Sequence, residues 1–466
     1  MNPLSLVIIT DTHYYSKKNW VAGNPYAFPP KREQQYRRGS EEIIKYVFDE
    51  ICNDGEPEIV LISGDLTNNG EYTSHEEMRE LLRQLQARGK NVFVTTATHD
   101  YRQNEKSYGY DENHNQVPVP AFTREMLYDY YTEFSFDKAL SVHMPSMCYT
   151  AQLADGYRLL ALNDDHGKDH AGYDDDCLKW IEEQVELAHK DNQFIVAMTH
   201  HPVLTPSPLY KIIGPNDLLE DGEERAKQFA DMGIPCIFTG HSHIQNITSI
   251  KSEKGNICYD VSTSALVGFP PYYRHATINP DERKISISSV LIKDVPGLDT
   301  EGMPLSDYTK KLFLGVVEDM LNSAEHDYPT FQNLAIGMSI SKEKSAKLKP
   351  IIRPVAKVLN RLSFGKVWRL TRLRNGVSRK EIAPIKKKLA VPFITDVVSN
   401  LYKGDADLDV NSPEYRVAVG FLKTADSLTK PFKKKLNSIG IESISALIMP
   451  LLHKEGIGDS DAELEY

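Results

Sequence analysis

Five short groups in this chain carry carboxylates and imidazoles, four of them two such residues one or two positions apart: Asp11-Thr12-His13, Gly64-Asp65, Thr98-His99-Asp100, His200-His201-Pro202 and Gly240-His241-Ser242-His243. Where a D-x-H or H-x-H ends a strand, the chain bends into a loop and two side chains can point into one cavity. Mixed imidazole and carboxylate ligation suits Mn, Fe, Zn or Co rather than Ca. One carboxylate, such as Asp65, can bridge two ions. Ions ~3.5–4 Å apart can hold a hydroxide between them and clamp a phosphoryl group for in-line attack. Any one of these histidines alone reads as a surface or hydrogen-bonded residue. Five groups in order read as a binuclear metal centre.

The elements that must position these groups share one grammar. Six short apolar runs (Leu4 to Ile9, Ile59 to Ile62, Asn91 to Val94, Leu159 to Leu162, Phe194 to Met198 and Cys236 to Phe238) each end at or near an Asp or His. Continuous Val/Ile/Leu runs of this length fit strands buried on both faces. Helical spacing separates several of them, at Glu41 to Asn53, Ser74 to Gly89 and Asp174 to Lys190. The second opens with a capping-box pattern, Ser74-His75-Glu76-Glu77, and the third with acids in its first turn. Strands alternating with helices indicate an α/β sandwich, in which ligands gather outside the carboxyl ends of strands. After Gly240, short alternating runs (Asn246 to Ile250, Ile257 to Val261, Lys284 to Ser289) predict closing antiparallel strands. From about Leu305 onward, helical spacing with prolines at intervals predicts a helical domain, and the acidic tail from Gly456 predicts a frayed end.

The ordered set D-x-H, G-D, H-D, a later H and G-H-x-H resembles the calcineurin-like metallophosphoesterase superfamily over roughly residues 4 to 292. Leu162-Asn163-Asp164 and the run Leu178 to Gln184 echo the strand and helix that precede the family's third histidine. The resemblance implies a four-layer α/β/β/α sandwich over residues 1–295, followed by an all-α domain over 305–466. It implies that Asp11, His13 and His243 hold the first metal, that His200 and His241 hold the second, and that Asp65 bridges both. His99 would protonate or steer the leaving oxygen, with Asp100 fixing its ring, and His201 would face substrate or support the ligands. One position departs from the pattern: Thr98, after Ala97, stands where the family places Asn after Gly. A threonine hydroxyl is a shorter and weaker ligand, so the second ion would be loosely held, take a water there, or differ in identity. Metallophosphoesterases with an added C-terminal helical domain resemble bacterial cyclic-nucleotide phosphodiesterases. The expected activity is therefore hydrolysis of a small phosphodiester, a nucleotide among the candidates, with a metal- or phosphoester-binding module of little catalysis as the alternative.

The totals set bounds on this reading. At 466 residues with 41% hydrophobic and 26% charged side chains, the composition is globular and the length fits two or three domains. The net charge of −11 is unevenly placed: residues 341–390 hold sixteen Lys/Arg against two acids, so the rest carries −25. That basic stretch either binds an anionic partner (nucleic acid, anionic membrane or substrate) or forms a solvated face docking on acidic surface. Aromatic interleaving of the kind single-strand binders use is missing from it. Five scattered cysteines without a C-x-x-C pair read as buried free thiols in a reducing compartment. With no secretory signal pattern and no ~20-residue apolar run, the expected location is cytoplasmic. Tyr14, Tyr15 and Trp20 either line the cleft or pack, and residues 101–131 read as a lid or as a solvated loop with a helix.

Overall fold

Alternation inside the apolar runs sends their side chains to different cores. The computed structural model describes residues 1–20, 23–27, 33–55, 57–165, 170–214, 216–336, 342–437 and 442–466. Strands β1 (Leu4–Ile9), β2 (Ile59–Ser63) and β3 (Asn91–Thr95) run parallel. A separate hairpin pairs β4 (Lys106–Tyr110) with β5 (Gln116–Pro120). Antiparallel β6 (Ala139–His143), β7 (Cys148–Ala154) and β8 (Tyr157–Ala161) lead into β9 (Phe194–Met198) and β10 (Cys236–Thr239), which run parallel to β8. Next come β11 (Asn246–Lys251) and β12 (Ile257–Ser262), the latter parallel to β10. Last are β13 (Tyr272–Asn279), β14 (Lys284–Leu291) and β15 (Ala462–Glu465), antiparallel neighbours extending from β1. The sheets have orders β15-β14-β13-β1-β2-β3 and β11-β12-β10-β9-β8-β7-β6.

Leu6, Ile8, Leu61 and Phe93 of the first sheet meet Tyr149, Leu159, Val196, Met198 and Phe238 of the second in one apolar core. The alternate residues Val7, Ile9, Val60, Ile62, Val92 and Val94 face outward. They pack on Ile43, Ile44 and Val47 of α1 (Ser40–Asn53) and Met78, Leu82 and Leu85 of α2 (Tyr72–Ala87). On the far side, Leu160, Ile195 and Ile237 meet Ile181 and Val185 of the helix Asp175–Lys190 and Phe229 of the helix Gly222–Asp231. The order is helix, sheet, sheet, helix. Each fully buried Ile, Leu or Phe contributes about 1.5–3 kcal/mol, so both faces of both sheets are strongly specified.

Two local expectations are corrected. The second helix starts at Tyr72, not Ser74, because Ser74 Oγ accepts from the Ser16 and Asn19 nitrogens at 3.1 and 3.3 Å instead of capping. The tail is not frayed: Glu465 pairs with Lys284 and Ala462 with Ile287, and Leu464 is buried in the core between the sheets. The acids hide an inward-outward alternation in which Ala462, Leu464 and Tyr466 turn in.

The chain divides into two compact units: Met1–Pro206, Asn216–Leu312 and Ile457–Tyr466 in one, and Ser207–Pro215 with Phe313–Gly456 in the other. The described elements of the second unit are helices, among them Lys342–Leu359, Phe364–Leu370, Val391–Lys403 and Pro413–Thr429. Of the basic stretch, Ser341 and the Lys344 side chain lie outside the described residues. Among the described residues no helix is long and apolar enough to cross a membrane. Residues 101–131 contain the β4–β5 hairpin and a short helix, Arg124–Tyr130. Tyr14, Tyr15 and Trp20 are packed: Tyr14 donates to Glu77, Tyr15 to the Tyr108 carbonyl, and Trp20 stacks on Tyr110 with centroids 4.4 Å apart.

Candidate metal centre

The carboxyl ends of β1, β2, β9 and β10 meet at one edge of the sandwich, and the five sequence groups come with them. Asp11, His13, Asp65, His241 and His243 all have positive φ, between 38° and 59°. That left-handed region is uncommon outside glycine, though Asp and His tolerate it better than most. It turns the chain sharply, so that residues i and i+2 both face the cavity. The glycines beside them are needed for close approach. A Cβ on Gly64 would come within 2.7 Å of His200 Nδ1, and one on Gly240 within 2.0 Å of Thr10 Oγ1.

Two triads result: Asp11, His13 and His243, all buried, form one, and buried Asp65 and His200 with half-buried His241 the other. In the first, His13 Nε2 lies 3.0 Å from His243 Nε2, and Asp11 Oδ1 lies 3.2 Å from His243 Nε2 and 3.6 Å from His13 Nε2. In the second, His200 Nε2 lies 3.1 Å from Asp65 Oδ2 and 3.2 Å from His241 Nδ1. Asp65 Oδ2 is also 4.0 Å from His13 Nε2, which puts this carboxylate between the triads.

The far sides of Asp11, Asp65 and His200 are tied down. Asp11 Oδ2 accepts from Thr10 Oγ1 and the His241 backbone nitrogen, and Asp65 Oδ1 from the His99 backbone nitrogen. His200 Nδ1 donates to the Ser63 carbonyl at 2.8 Å. Gln35 Nε2 lies 3.3 Å from His13 Nε2. Among the buried atoms of these residues, Asp11 Oδ1 and Asp65 Oδ2 have no hydrogen-bond partner, and neither do the Nδ1 atoms of His13 and His243. An unsatisfied buried carboxylate oxygen is costly, and two side by side call for cations. The donor set of imidazole nitrogens and carboxylate oxygens fits borderline transition ions.

Electrostatics point the same way. Burial would raise Asp11 and Asp65, yet the neighbouring imidazoles hold both well below the usual carboxylate range. Burial would lower His200, but Asp65, Asp11 and Asp164 lift it well above the ordinary imidazole value. Burial pushes His13 down to about 4 against the pull of Asp11, and burial with His201 and His200 pushes His241 well down. Four of the six side chains are thus poised as carboxylates or neutral imidazoles, the protonation states metals require.

His99 stands beside the first triad, its ring edge-on to His13 at 4.9 Å. The expectation that Asp100 fixes this ring is corrected. His99 Nδ1 donates to the Asn68 carbonyl at 2.5 Å. The Asp100 carboxylate accepts from Thr67 N, Thr67 Oγ1 and Ala97 N at 2.8, 3.2 and 2.9 Å, stitching the loops after β2 and β3 together. A tight turn, with Asp100 N donating to the Ala97 carbonyl, folds the carboxylate back on its own loop. Burial, with the Asp65 charge, pushes Asp100 up to about 7. Thr98 lies in the same turn and gives its carbonyl to Arg102 Nη1 at 3.1 Å.

Asp164, which the sequence marked only as an echo, has a definite task. Its carboxylate accepts from His201 N, His201 Nδ1 and Thr199 Oγ1 at 2.7, 2.8 and 2.7 Å, fixing His201 beside the second triad. The His201 ring lies against His241 at 3.9 Å. The signal was an Asn-Asp after β8, in the same place as the ligands after its neighbours.

No curated protein matches the sequence. Among solved structures, the fold is similar to a dimetal phosphatase from Danio rerio (13% identity, 62% of this chain and 96% of that one, TM-score 0.45). A purple acid phosphatase from yellow lupin (Lupinus luteus) seeds matches at 13% identity over 62% of this chain and 52% of that one, with TM-score 0.38. A family model described as calcineurin-like phosphoesterase matches residues 4–245.

Proposed function

From the premise that the chain belongs to the calcineurin-like phosphoesterase family, we propose that it is a metal-dependent hydrolase of phosphodiesters in preference to phosphomonoesters. The observation that carries this is the pair of triads meeting at Asp65, with Asp11 Oδ1 and Asp65 Oδ2 facing imidazole nitrogens without a hydrogen-bond partner. Asp11, His13 and His243 would hold one divalent ion, His200 and His241 the other, and Asp65 both. Mn, Fe, Zn and Co all suit these donors. When bound, such a pair supplies Lewis acidity toward phosphoryl oxygen and activates water.

The chain's own groups do the rest. With Nδ1 committed to the Asn68 carbonyl, His99 keeps Nε2 for carrying a proton to the leaving oxygen. The backbone nitrogen of His99 holds Asp65 Oδ1, which couples the proton carrier to the carboxylate that would hold both ions. His201, pinned by Asp164, faces substrate or supports His241. Asp100 keeps the His99 turn in place through the loops it joins. The preference for a diester, a nucleotide among the candidates, rests on the helical second unit and the resemblance it carries, and we place the reaction in the cytoplasm.

A second reading follows from Thr98: a phosphoester- or metal-binding module with little turnover, because the hydroxyl is a poor substitute for an amide carbonyl. Purified chain with Mn²⁺, tested on bis-p-nitrophenyl phosphate and p-nitrophenyl phosphate, separates the two. Faster turnover of the diester, abolished in His99→Ala, is expected for the enzyme. Metal uptake without turnover would leave the module.

A further inference from the structure

Independently of the hydrolytic reading, one corner of the second unit has chemistry of its own. The three most exposed large hydrophobic side chains among the described residues are Leu373 at 99%, Leu370 at 75% and Leu428 at 72%. They are neighbours. Leu370 ends the helix Phe364–Leu370, and Leu373 lies in the turn Arg372–Asn375 that follows. Arg374 Nη1 in that turn donates to the Lys423 carbonyl at 2.6 Å and to Ser427 Oγ, beside Leu428 at the end of the helix Pro413–Thr429.

The corner is firmly built. Thr371, buried between the two leucines, donates to the Val367 carbonyl at 2.9 Å. Asn375 Nδ2 closes the turn onto Thr371 Oγ1 and the Trp368 carbonyl, each at 3.0 Å. Gly420 lets the facing helix come close, since a Cβ there would lie 2.6 Å from Asn375 Cβ. The polar residue is therefore turned in and the leucines are held out, the reverse of what burial alone would select.

Cations surround them. Arg369, Arg372, Arg374, Lys423 and Lys430 flank the leucines, and among the described residues none of the five makes an ion pair. Of the two acids in these segments, Asp426 accepts from Ser445 N and Oγ, and Glu414, at the far end of its helix, pairs with Lys388. Apolar side chains flanked by arginines and lysines that make no ion pair match an interface that is anionic outside and hydrocarbon within. Long basic side chains can reach headgroup phosphates while their stems lie on apolar surface. Nucleic acid would satisfy the charges but offers nothing to three aliphatic side chains.

We propose that this corner seats the protein on an anionic lipid bilayer, with Leu370, Leu373 and Leu428 entering the acyl boundary and Arg369, Arg372 and Arg374 on headgroup phosphates. The test is sedimentation of the full chain with vesicles of phosphatidylcholine alone or mixed with phosphatidylglycerol. Binding to the anionic vesicles should exceed that to the neutral ones by about tenfold or more and weaken with salt. Leu370→Ser with Leu373→Ser should lower it by about tenfold while leaving the melting temperature at the wild-type value, both positions being exposed. Three results would overturn the proposal: no binding to anionic vesicles, binding that the double variant keeps, or a lipid-free dimer that the double variant dissociates. Duplex DNA bound equally well by wild type and variant, with vesicles left free, would assign the charges to nucleic acid instead.

Discussion

Asp65 and His200 end strands of different sheets, yet Asp65 Oδ2 and His200 Nε2 lie 3.1 Å apart, both fully buried. The contact joins the two halves of the sandwich at the point where the triads meet. Without a metal, an imidazolium opposite a carboxylate is the cheapest way to neutralise the cavity, which is why the two pKa values move apart. Burying such a pair alone gains little stability. A pair of that kind at the meeting point of the two triads fits a binding role.

His99 and Asp100 are adjacent, but their roles separate. His99→Ala should lower kcat by roughly 10²–10⁴-fold with metal content unchanged. Asp100→Asn should act mainly on stability, by about 1–3 kcal/mol, because an amide cannot accept all three hydrogen bonds the carboxylate takes. Urea unfolding and steady-state kinetics on both variants decide it. Equal loss of kcat in the two, with stability intact in Asp100→Asn, would return Asp100 to the ring of His99.

Thr98 is the second test. Thr98→Asn should hold the second ion more firmly, so that after dialysis more metal stays per chain and turnover at limiting Mn²⁺ rises. A variant that keeps no more metal and works no faster would mean the threonine is not the weak point.

His75 offers a pH test away from the ligands. It is buried, donating from Nε2 to the Asp100 carbonyl at 2.8 Å and accepting at Nδ1 from Tyr131 Oη at 2.7 Å. Burial lowers its pKa from 6.5 to about 4, the Asp100 carbonyl opposing. Between those values the unfolded chain binds a proton that the folded chain refuses, so stability rises with pH across the window and is lost on acidification. The shift corresponds to about 3 kcal/mol. Denaturant unfolding of wild type and His75→Phe should reveal a stability difference that narrows by about that amount from pH 6.5 to 4. A constant difference would mean that His75 is charged in the folded protein.

Much of this was legible because of where it sits. Strands buried on both faces read as unbroken apolar runs, and the ligands follow them directly, so Asp11, Asp65, His200 and His241 could be placed from sequence. Less visible were features set by backbone geometry. The partner of His99 is a carbonyl, Asn68 O, which no side-chain pattern encodes. Asp100 was misassigned because adjacency says nothing about which way a turn throws a carboxylate. Strand β15 was missed because Glu463 and Glu465 mask the burial of Leu464. The start of α2 was missed because a capping pattern, Ser74 to Glu77, competes with tertiary partners of Ser74.

The most direct measurement is calorimetric titration of chelator-treated protein with Mn²⁺, in wild type and Asp65→Ala, with hydrolysis of bis-p-nitrophenyl phosphate followed at each step. Two equivalents per chain in wild type, at most one in the variant, and turnover appearing only with the second equivalent are the expected results. Full turnover at one equivalent or none, or an Asp65→Ala variant that still takes up two, would contradict a shared two-ion centre.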